Sequence, residues 1–355
     1  MKQKALRNAW YVAEASSVLT KNLHAVRILG EDVLLYRKDD GTVVALENAC
    51  PHRKVPLSMG KRRGDFVECA YHGLTFDGSG ACVRAPISDV VRERARVCSY
   101  PVAERYGLIW IWMGEAALAD PQSIFKLDNW DDPEWGCTAI DSMVVDCNYL
   151  YITDNLLDPT HVAWVHPTSF GDQACAETPL KTDIMANGVA VSRWMLDVEV
   201  APFYTKFVKF KGNADRQQYY EVRFPSHALI RAVFAPAGAG GPEGKDCPNT
   251  FLMDSFNFMT PIDEHTTRYF WFQMRNFAPG DEEVNAAFAA AVRSAFEEDK
   301  RVLEAVHKGM QQPRTPHIDL PSDAGPTRFR RRLAGMIRAE EDAQIAGQSM
   351  RASAE

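Results

Sequence analysis

The sequence predicts an α+β protein in two parts, an N-terminal all-β domain followed by a larger α+β domain. Three observations predict it. From about Val26 to Met113, short apolar runs alternate with tight turns. Beyond Gly136, β-like runs mix with helical periodicity, and from about Glu115 to Gly136 the text breaks into Asp-, Pro- and Trp-containing turns. A length of 355 residues, 46% of them hydrophobic, suffices for two cores. The expected boundaries are 1–115 for the first domain, a linker to about 136, and 137–355 for the second.

In the first part, Val33-Leu34-Leu35-Tyr36 and Val43-Val44-Ala45-Leu46 have strand composition and flank a turn at Asp39-Asp40-Gly41. Phe76-Asp77-Gly78-Ser79-Gly80-Ala81 is a hairpin signal, and Leu108-Ile109-Trp110-Ile111-Trp112 closes the series. In the second part a helix is expected near Tyr149–Leu157. Strands are expected around Val189–Arg193, Tyr219–Phe224, Ala228–Phe234 and Thr267–Met274, and long helices over Glu282–Lys308 and Thr327–Ala346. A Gly-rich loop spans Ala235–Pro242, and Met350–Glu355 should fray.

A formal charge of −7 argues against a nucleic-acid groove or an anionic membrane surface, both of which need a basic footprint. No stretch approaches a membrane span, and Met1 to Asn8 lacks the apolar core of a signal peptide, so the cytoplasm is expected. There the eight cysteines stay reduced. Cys82, Cys98, Cys137, Cys147, Cys175 and Cys247 have no ligand-like spacing and read as packing residues.

Cys50 and Cys69 differ from these. Cys50-Pro51-His52-Arg53 and Cys69-Ala70-Tyr71-His72-Gly73 form two loops, each offering one thiolate and one imidazole. Such a set holds a [2Fe-2S] cluster of moderate potential, or closes a tetrahedral zinc site. A second set lies in Asp154-Asn155-Leu156-Leu157-Asp158-Pro159-Thr160-His161-Val162-Ala163-Trp164-Val165-His166-Pro167. Pro159 should end the preceding helix near Asp158, and irregular backbone between the prolines can turn both imidazoles inward. In the following long helix Val292, Ala295, Phe296, Val302, Leu303 and Val306 mark an apolar stripe into which Asp299 falls, while Glu297 and Glu298 lie off it and read as solvated. A carboxylate there needs a metal or a buried arginine. His161, His166 and Asp299 would leave positions open on a ferrous iron, the arrangement that activates dioxygen.

The loops read C-x-H-R and C-x2-H-G-L, and Asn155, Asp158, His161 and His166 fall on N-x2-D-x2-H-x4-H; in these features the chain resembles the Rieske non-haem iron oxygenases. Leu156-Leu157-Asp158, Ala163–Thr168, Lys209–Arg216, Arg275-Asn276-Phe277 and Phe296-Glu297-Glu298-Asp299-Lys300 are similar to the branch of toluene-sulfonate methyl-monooxygenase and vanillate or dicamba O-demethylase. The likeness implies a Rieske domain followed by a helix-grip (START-like) catalytic domain. It implies Cys50 and Cys69 on one iron of the cluster and His52 and His72 on the other. His161, His166 and Asp299 would bind mononuclear Fe(II), with Asn155 and Asp158 as catalytic partners. It also implies a homotrimer in which Asp158 links His161 to the His72 of a neighbour, because the two metals of one chain lie too far apart.

The reaction implied is O2-dependent hydroxylation of a methyl group, or oxidative O-demethylation, on a small aromatic acid. NADH supplies the electrons through a separate flavin and iron-sulfur reductase, with or without a ferredoxin; the chain has no G-x-G-x-x-G dinucleotide fingerprint. A ring-hydroxylating dioxygenase or an N-demethylase is the alternative of the same superfamily, and a pure electron carrier or a zinc-bearing binding protein belongs to other classes. Phe203, Phe288, Tyr204 and Trp194 are candidate pocket aromatics. Where the dicamba enzyme carries a tryptophan and a histidine, this sequence has Ala290 and Asn257, which makes these two candidate substrate positions.

Overall fold

The computed structural model describes residues 5–352 except 87, 242–243, 245–246, 248 and 313, with side chains to residue 346. Two compact units result. Residues 1–126 with 260–264 form the first, and 127–259 with 265–355 form the second. The first is therefore not contiguous: Leu29 N and Gly30 N donate to the carbonyls of Pro261 and Ile262, at 2.8 Å each.

The first unit is all-β apart from short helical turns. One three-stranded sheet runs Trp10–Ala15, Leu108–Trp112, Val102–Arg105. Two four-stranded sheets join it, His24–Ile28, Glu31–Arg37, Val43–Glu47, Ser99–Tyr100, and Lys61–Arg63, Phe66–Glu68, Thr75–Phe76, Cys82–Arg84. The expected strands and hairpin are present. Leu34, Tyr36, Leu46, Val67 and Phe76 are wholly buried in one cluster that also takes in Cys50 and Cys69.

The second unit is an eight-stranded sheet with helices. Its order is Gly136–Cys137, Thr267–Arg275, Phe251–Pro261, His227–Pro236, Ala214–Arg223, Gly188–Val198, Lys181–Met185, with Asp141–Val145 also paired to Thr267–Arg275. The helix Tyr149–Leu157 has the expected bounds. The long helices extend to Glu282–Gln311 and Ala324–Ala352, so the expected fraying does not begin at Met350; 353–355 lie outside the described residues, as does Pro242 of the Gly-rich loop. Phe251–Pro261 was not expected as a strand. It is buried at all but one position and carries Asp254, Ser255, Asn257 and Thr260 inside, so it shows neither alternation nor a clean apolar run.

Glu282–Gln311 packs across the sheet, with Phe296 edge-on to Trp271 at 5.0 Å and tilted against Tyr269 at 5.1 Å. Its buried face is Phe288, Val292, Ala295, Phe296, Asp299, Leu303 and His307. The expected stripe is corrected at two places, since Val302 and Val306 are 43% and 40% exposed, one position round the helix from the buried line. Among the unclustered cysteines Cys82, Cys147 and Cys175 are buried as expected, whereas Cys98 is exposed.

Arg193 ties the sheet to the segments above it. It is 4% exposed, and its Nε donates to Gln218 Oε1 at 2.7 Å, its Nη2 to the Pro159 carbonyl at 2.9 Å, and its Nη1 to the Cys175 and Thr178 carbonyls. Burial pulls the guanidinium below its ordinary range, and the four acceptors meet the hydrogen bonds it would otherwise lose from water. Replacing Arg193 by Leu leaves buried carbonyls unpaired and should cost about 3 kcal/mol in urea unfolding. A loss below about 0.5 kcal/mol would show that the strut is dispensable.

Candidate metal centres

The two Cys/His loops have the same backbone. Cys50 N donates to the Val55 carbonyl at 2.9 Å and Cys69 N to the Leu74 carbonyl at 2.8 Å; Lys54 N and Gly73 N, four residues on, donate back to the carbonyls of Cys50 and Cys69. Both closing residues are left-handed, Lys54 with φ 58° and Gly73 with φ 72°. Glycine meets that demand without strain, and at Gly73 an added Cβ would also press on Pro86 Cγ at 3.2 Å.

Each loop turns its thiol inward and its imidazole outward. Cys50 and Cys69 are 2% and 3% exposed, while His52 Nδ1 and His72 Nδ1 face each other at 3.1 Å near the surface. Burial pushes the Cys50 thiol up to about 11, opposed by the His52 main-chain N–H and reinforced by the adjacent Cys69 thiol. Two thiolates side by side in this apolar setting require cationic charge between them, so the donor set fits an iron-sulfur cluster with a buried thiolate edge and an accessible imidazole edge.

The second site starts at a helix end. Asn148 caps Tyr149–Leu157 by accepting from Leu150 N, and the helix stops at Asp158, with φ −126° and ψ 75°, because Pro159 follows. The Asp158 carbonyl, left without an intrahelical partner, accepts from His161 N at 3.4 Å and from His161 Nδ1 at 2.6 Å. One helical turn, Val162–Val165, then separates His161 from His166, where irregular backbone was expected. The chain folds back at Gly171, where a Cβ would stand 2.0 Å from the Val162 carbonyl oxygen, leaving room for glycine alone.

His166 Nδ1 donates to Glu298 Oε2 at 2.6 Å. Both rings thus spend Nδ1–H on a fixed acceptor, which leaves Nε2 as the free lone pair. The His161 Nε2 lies 3.6 Å and the His166 Nε2 3.2 Å from Asp299 Oδ1, and the ligand atoms of the three residues fall within 4.8 Å of one another. Adjacent donors on a metal with bonds of about 2.1 Å stand about 3 Å apart, so the trio fits one ion. Asp299 is 6% exposed and its Oδ1 also accepts from Asn155 Nδ2 at 3.2 Å. Burial pulls the His166 imidazole down, but Asp299 and then Glu298 outweigh it and the net shift is upward. Protons and a metal ion therefore compete for its Nε2.

Two expectations are corrected here. Glu298 is not a solvated charge: its place beside Asp299 lets it orient His166. Asp158 meets His161 through its main-chain carbonyl rather than its carboxylate, whose Oδ1 instead accepts from Thr160 N at 3.1 Å and from the Thr160 hydroxyl.

Asn155, His161, His166 and Asp299 line a cavity together with Arg216, Gln218 and Tyr220 of the strand Ala214–Arg223. Of the expected aromatics Tyr204 lines it. Phe203 and Phe288 do not; they pack on each other at 5.0 Å in the aromatic core, while Trp194 sits on the opposite sheet face from Arg193. Ala290 faces outward from its helix. Asn257 is wholly buried, its Oδ1 accepting from Tyr269 OH and its Nδ2 donating to the Ser255 carbonyl, both at 2.9 Å, so it bonds to its own protein rather than a ligand. Arg216 and Gln218 were missed because the expected strand began at Tyr219. The available signal was two polar residues in phase with Ala214, Tyr220 and Val222, which face inward.

A three-donor site beside a cavity serves a metal that keeps open positions, and Cys/His loops presenting imidazoles at a surface serve electron entry. Together they define an iron-dependent oxygenase supplied with electrons from outside. Residues 9–100 match the Rieske [2Fe-2S] domain family and residues 145–339 the vanillate O-demethylase oxygenase C-terminal domain family. The toluene-4-sulfonate monooxygenase system iron-sulfur subunit TsaM1 of Comamonas testosteroni is 39% identical over 340 residues, covering 94% of this chain and 98% of that one. A vanillate O-demethylase oxygenase subunit of a Pseudomonas species is 34% identical over 345 residues, covering 95% and 96%. The crystal structure of dicamba monooxygenase bound to 3,6-dichlorosalicylic acid superposes with a TM-score of 0.88 at 30% identity, covering 96% and 99%. The chain belongs to the Rieske non-haem iron oxygenases, among the oxygenase components of monooxygenases and demethylases. Its cofactors are a [2Fe-2S] cluster and a mononuclear iron.

Asp299→Ala should keep the red-brown colour of the cluster and lose the mononuclear iron and turnover. Glu298→Ala should keep the colour and weaken mononuclear iron binding by roughly ten- to hundredfold, measured by iron content after dialysis against a chelator. Full retention of iron in both variants would contradict the site.

Proposed function

We propose that this chain is the terminal oxygenase of a system that hydroxylates the methyl group of a small aromatic acid, or removes it from a methoxy group. The observation that carries the proposal is the convergence of two Nε2 atoms and one carboxylate on the wall of a largely apolar cavity. His161, His166 and Asp299 hold the mononuclear iron, which when bound supplies dioxygen activation. Cys50 and Cys69 hold one iron of the cluster and His52 and His72 the other. Asn155 fixes Asp299, the Asp158 carbonyl fixes His161, and Glu298 fixes His166. Phe170, Phe296, Met253 and Ile230 keep the cavity apolar around an aromatic ring.

The balance is one C–H bond and O2, with two electrons and two protons, giving C–OH and water. The electrons come from NADH through a partner reductase, alone or with a ferredoxin. On a methoxy group the hydroxylated carbon leaves as formaldehyde and the phenol remains. Named relatives support this range, acting on toluene-4-sulfonate, vanillate and dicamba. The runner-up, attack at an N-alkyl group, is favoured by one relative, the oxygenase component of chloroacetanilide N-alkylformylase, 31% identical over 343 residues. With a methylarene acid the product should be the benzylic alcohol, and with a methoxyarene acid formaldehyde should equal the phenol formed. Finding only cis-dihydrodiols, or formaldehyde from N-methyl substrates alone, would overturn the reading.

The working unit in this proposal is a homotrimer in the cytoplasm; no described helix is long and apolar enough to cross a membrane. Electrons pass from the cluster of one subunit to the iron of the next through Asp158. Its Oδ2 has no partner among the described residues, which leaves it available to a neighbour's imidazole. Asp158→Asn should keep both metals and substrate binding but slow reoxidation of the reduced cluster by at least roughly a hundredfold in stopped flow. Wild-type reoxidation in this variant, or full activity in a dilute monomer, would refute the route.

A further inference from the structure

The strand Ala214–Arg223 puts Arg216, Gln218 and Tyr220 at alternate positions of the face that lines the cavity. Arg216 is 2% exposed. Its Nη1 donates to Asp172 Oδ2 at 2.6 Å and its Nη2 to the Phe170 carbonyl at 2.7 Å, but its buried Nε has no acceptor among the described residues. A guanidinium N–H left dry and unpaired is costly and is tolerated where something else completes it.

Its neighbour points the same way. Gln218 is 3% exposed, and because Arg193 Nε donates to its Oε1, the amide is oriented with its NH2 away from Arg193, where it meets no acceptor among the described residues. The hydroxyls of Tyr204 and Tyr220, also on the cavity wall, make no hydrogen bond among the described residues. The Ser255 Oγ already accepts from Gln273 Nε2 at 3.1 Å, so its proton is what it has left to offer. This wall therefore presents donors; of the two arginines that line the cavity, Arg231 is held by Asp254 through Nε and Nη2, and Arg216 keeps an unpaired Nε. On the same cavity the metal-binding residues present acceptors.

We infer that Arg216, with Gln218 beside it, is the residue that recognises the acid group of the substrate. The inference rests on the proposed aromatic-acid reading and goes beyond it by assigning the recognition to a residue. The oxyanion, carboxylate or sulfonate, accepts from Arg216 Nε and the Gln218 amide, and the ring lies between Phe170 and Met253. The methyl-bearing carbon is thereby directed away from the strand and towards His161, His166 and Asp299. Arg216 is a positioning and specificity residue: it takes no part in bond making. Its pairing with Asp172 and Phe170 also shapes the loop after His166, which makes removal of the whole side chain a poor test.

The test is calorimetric binding of benzoate, benzenesulfonate and benzamide to the anaerobic holoenzyme, paired with turnover of 4-methylbenzoate and 4-methylbenzamide. Arg216→Lys keeps the charge and a donor for Asp172 but lacks the Nε–H. It should reduce the preference for acid over amide roughly ten- to hundredfold, through KM rather than kcat, with iron content unchanged. Benzenesulfonate binding as well as benzoate assigns the wall to oxyanions generally; weaker binding restricts it to carboxylates. An equal loss for acid and amide would show a structural role and overturn the inference while the reaction reading stands. Arg216-dependent benzoate binding without methyl oxidation would do the reverse. Wild-type enzyme that binds benzamide as tightly as benzoate, or binds neither acid, overturns the inference however the variant folds.

Discussion

The catalytic unit depends on where two imidazole protons go. An unconstrained histidine presents either ring nitrogen, and two of them beside a carboxylate would settle into ion pairs rather than a metal site. Here the His161 proton is spent on the Asp158 carbonyl and the His166 proton on Glu298, so both Nε2 lone pairs are left facing Asp299. Each acceptor exists for a structural reason: one is the carbonyl at the helix end before Pro159, the other an acid next to Asp299 on the long helix.

The rest of the unit holds those acceptors still. Arg193 fixes the Pro159 carbonyl immediately after the helix end, and Arg216 fixes the Phe170 carbonyl after His166, so two buried guanidinium groups from adjacent strands brace the metal loop at both ends. A sheet that places arginines inside needs their hydrogen bonds met, and loop carbonyls that lack secondary-structure partners meet them. The first unit solves a related problem with two loops of one shape, each closed by a left-handed residue that turns a thiol into the core and an imidazole out of it.

Legibility in the sequence followed the range of the contacts. Both Cys/His loops are local, so Cys50, His52, Cys69 and His72 stand out as a donor set in the sequence; it is the resemblance, not the spacing, that favours a cluster over zinc. Asp299 could be read because a carboxylate in a helical stripe has few explanations. Glu298 could not, since one residue round the helix is ordinarily solvent and only the docking of the His166 turn makes it otherwise. The pocket candidates fared worst: Phe203 and Phe288 are the right type but belong to a core, and Asn257 meets Tyr269 across neighbouring strands. Strand phase decides which side chains see the cavity, and phase was obscured where Arg216 and Gln218 occupy inward positions.

Iron-edge anomalous diffraction from crystals of the purified enzyme tests the central claim most directly. The account predicts three iron positions per chain: a pair between the thiols of Cys50 and Cys69 and the Nδ1 atoms of His52 and His72, and a single ion about 2.1 Å from the Nε2 of both His161 and His166 and bound by Asp299. A single ion bound through Nδ1 of either histidine, or scattering at the zinc edge instead, would contradict it.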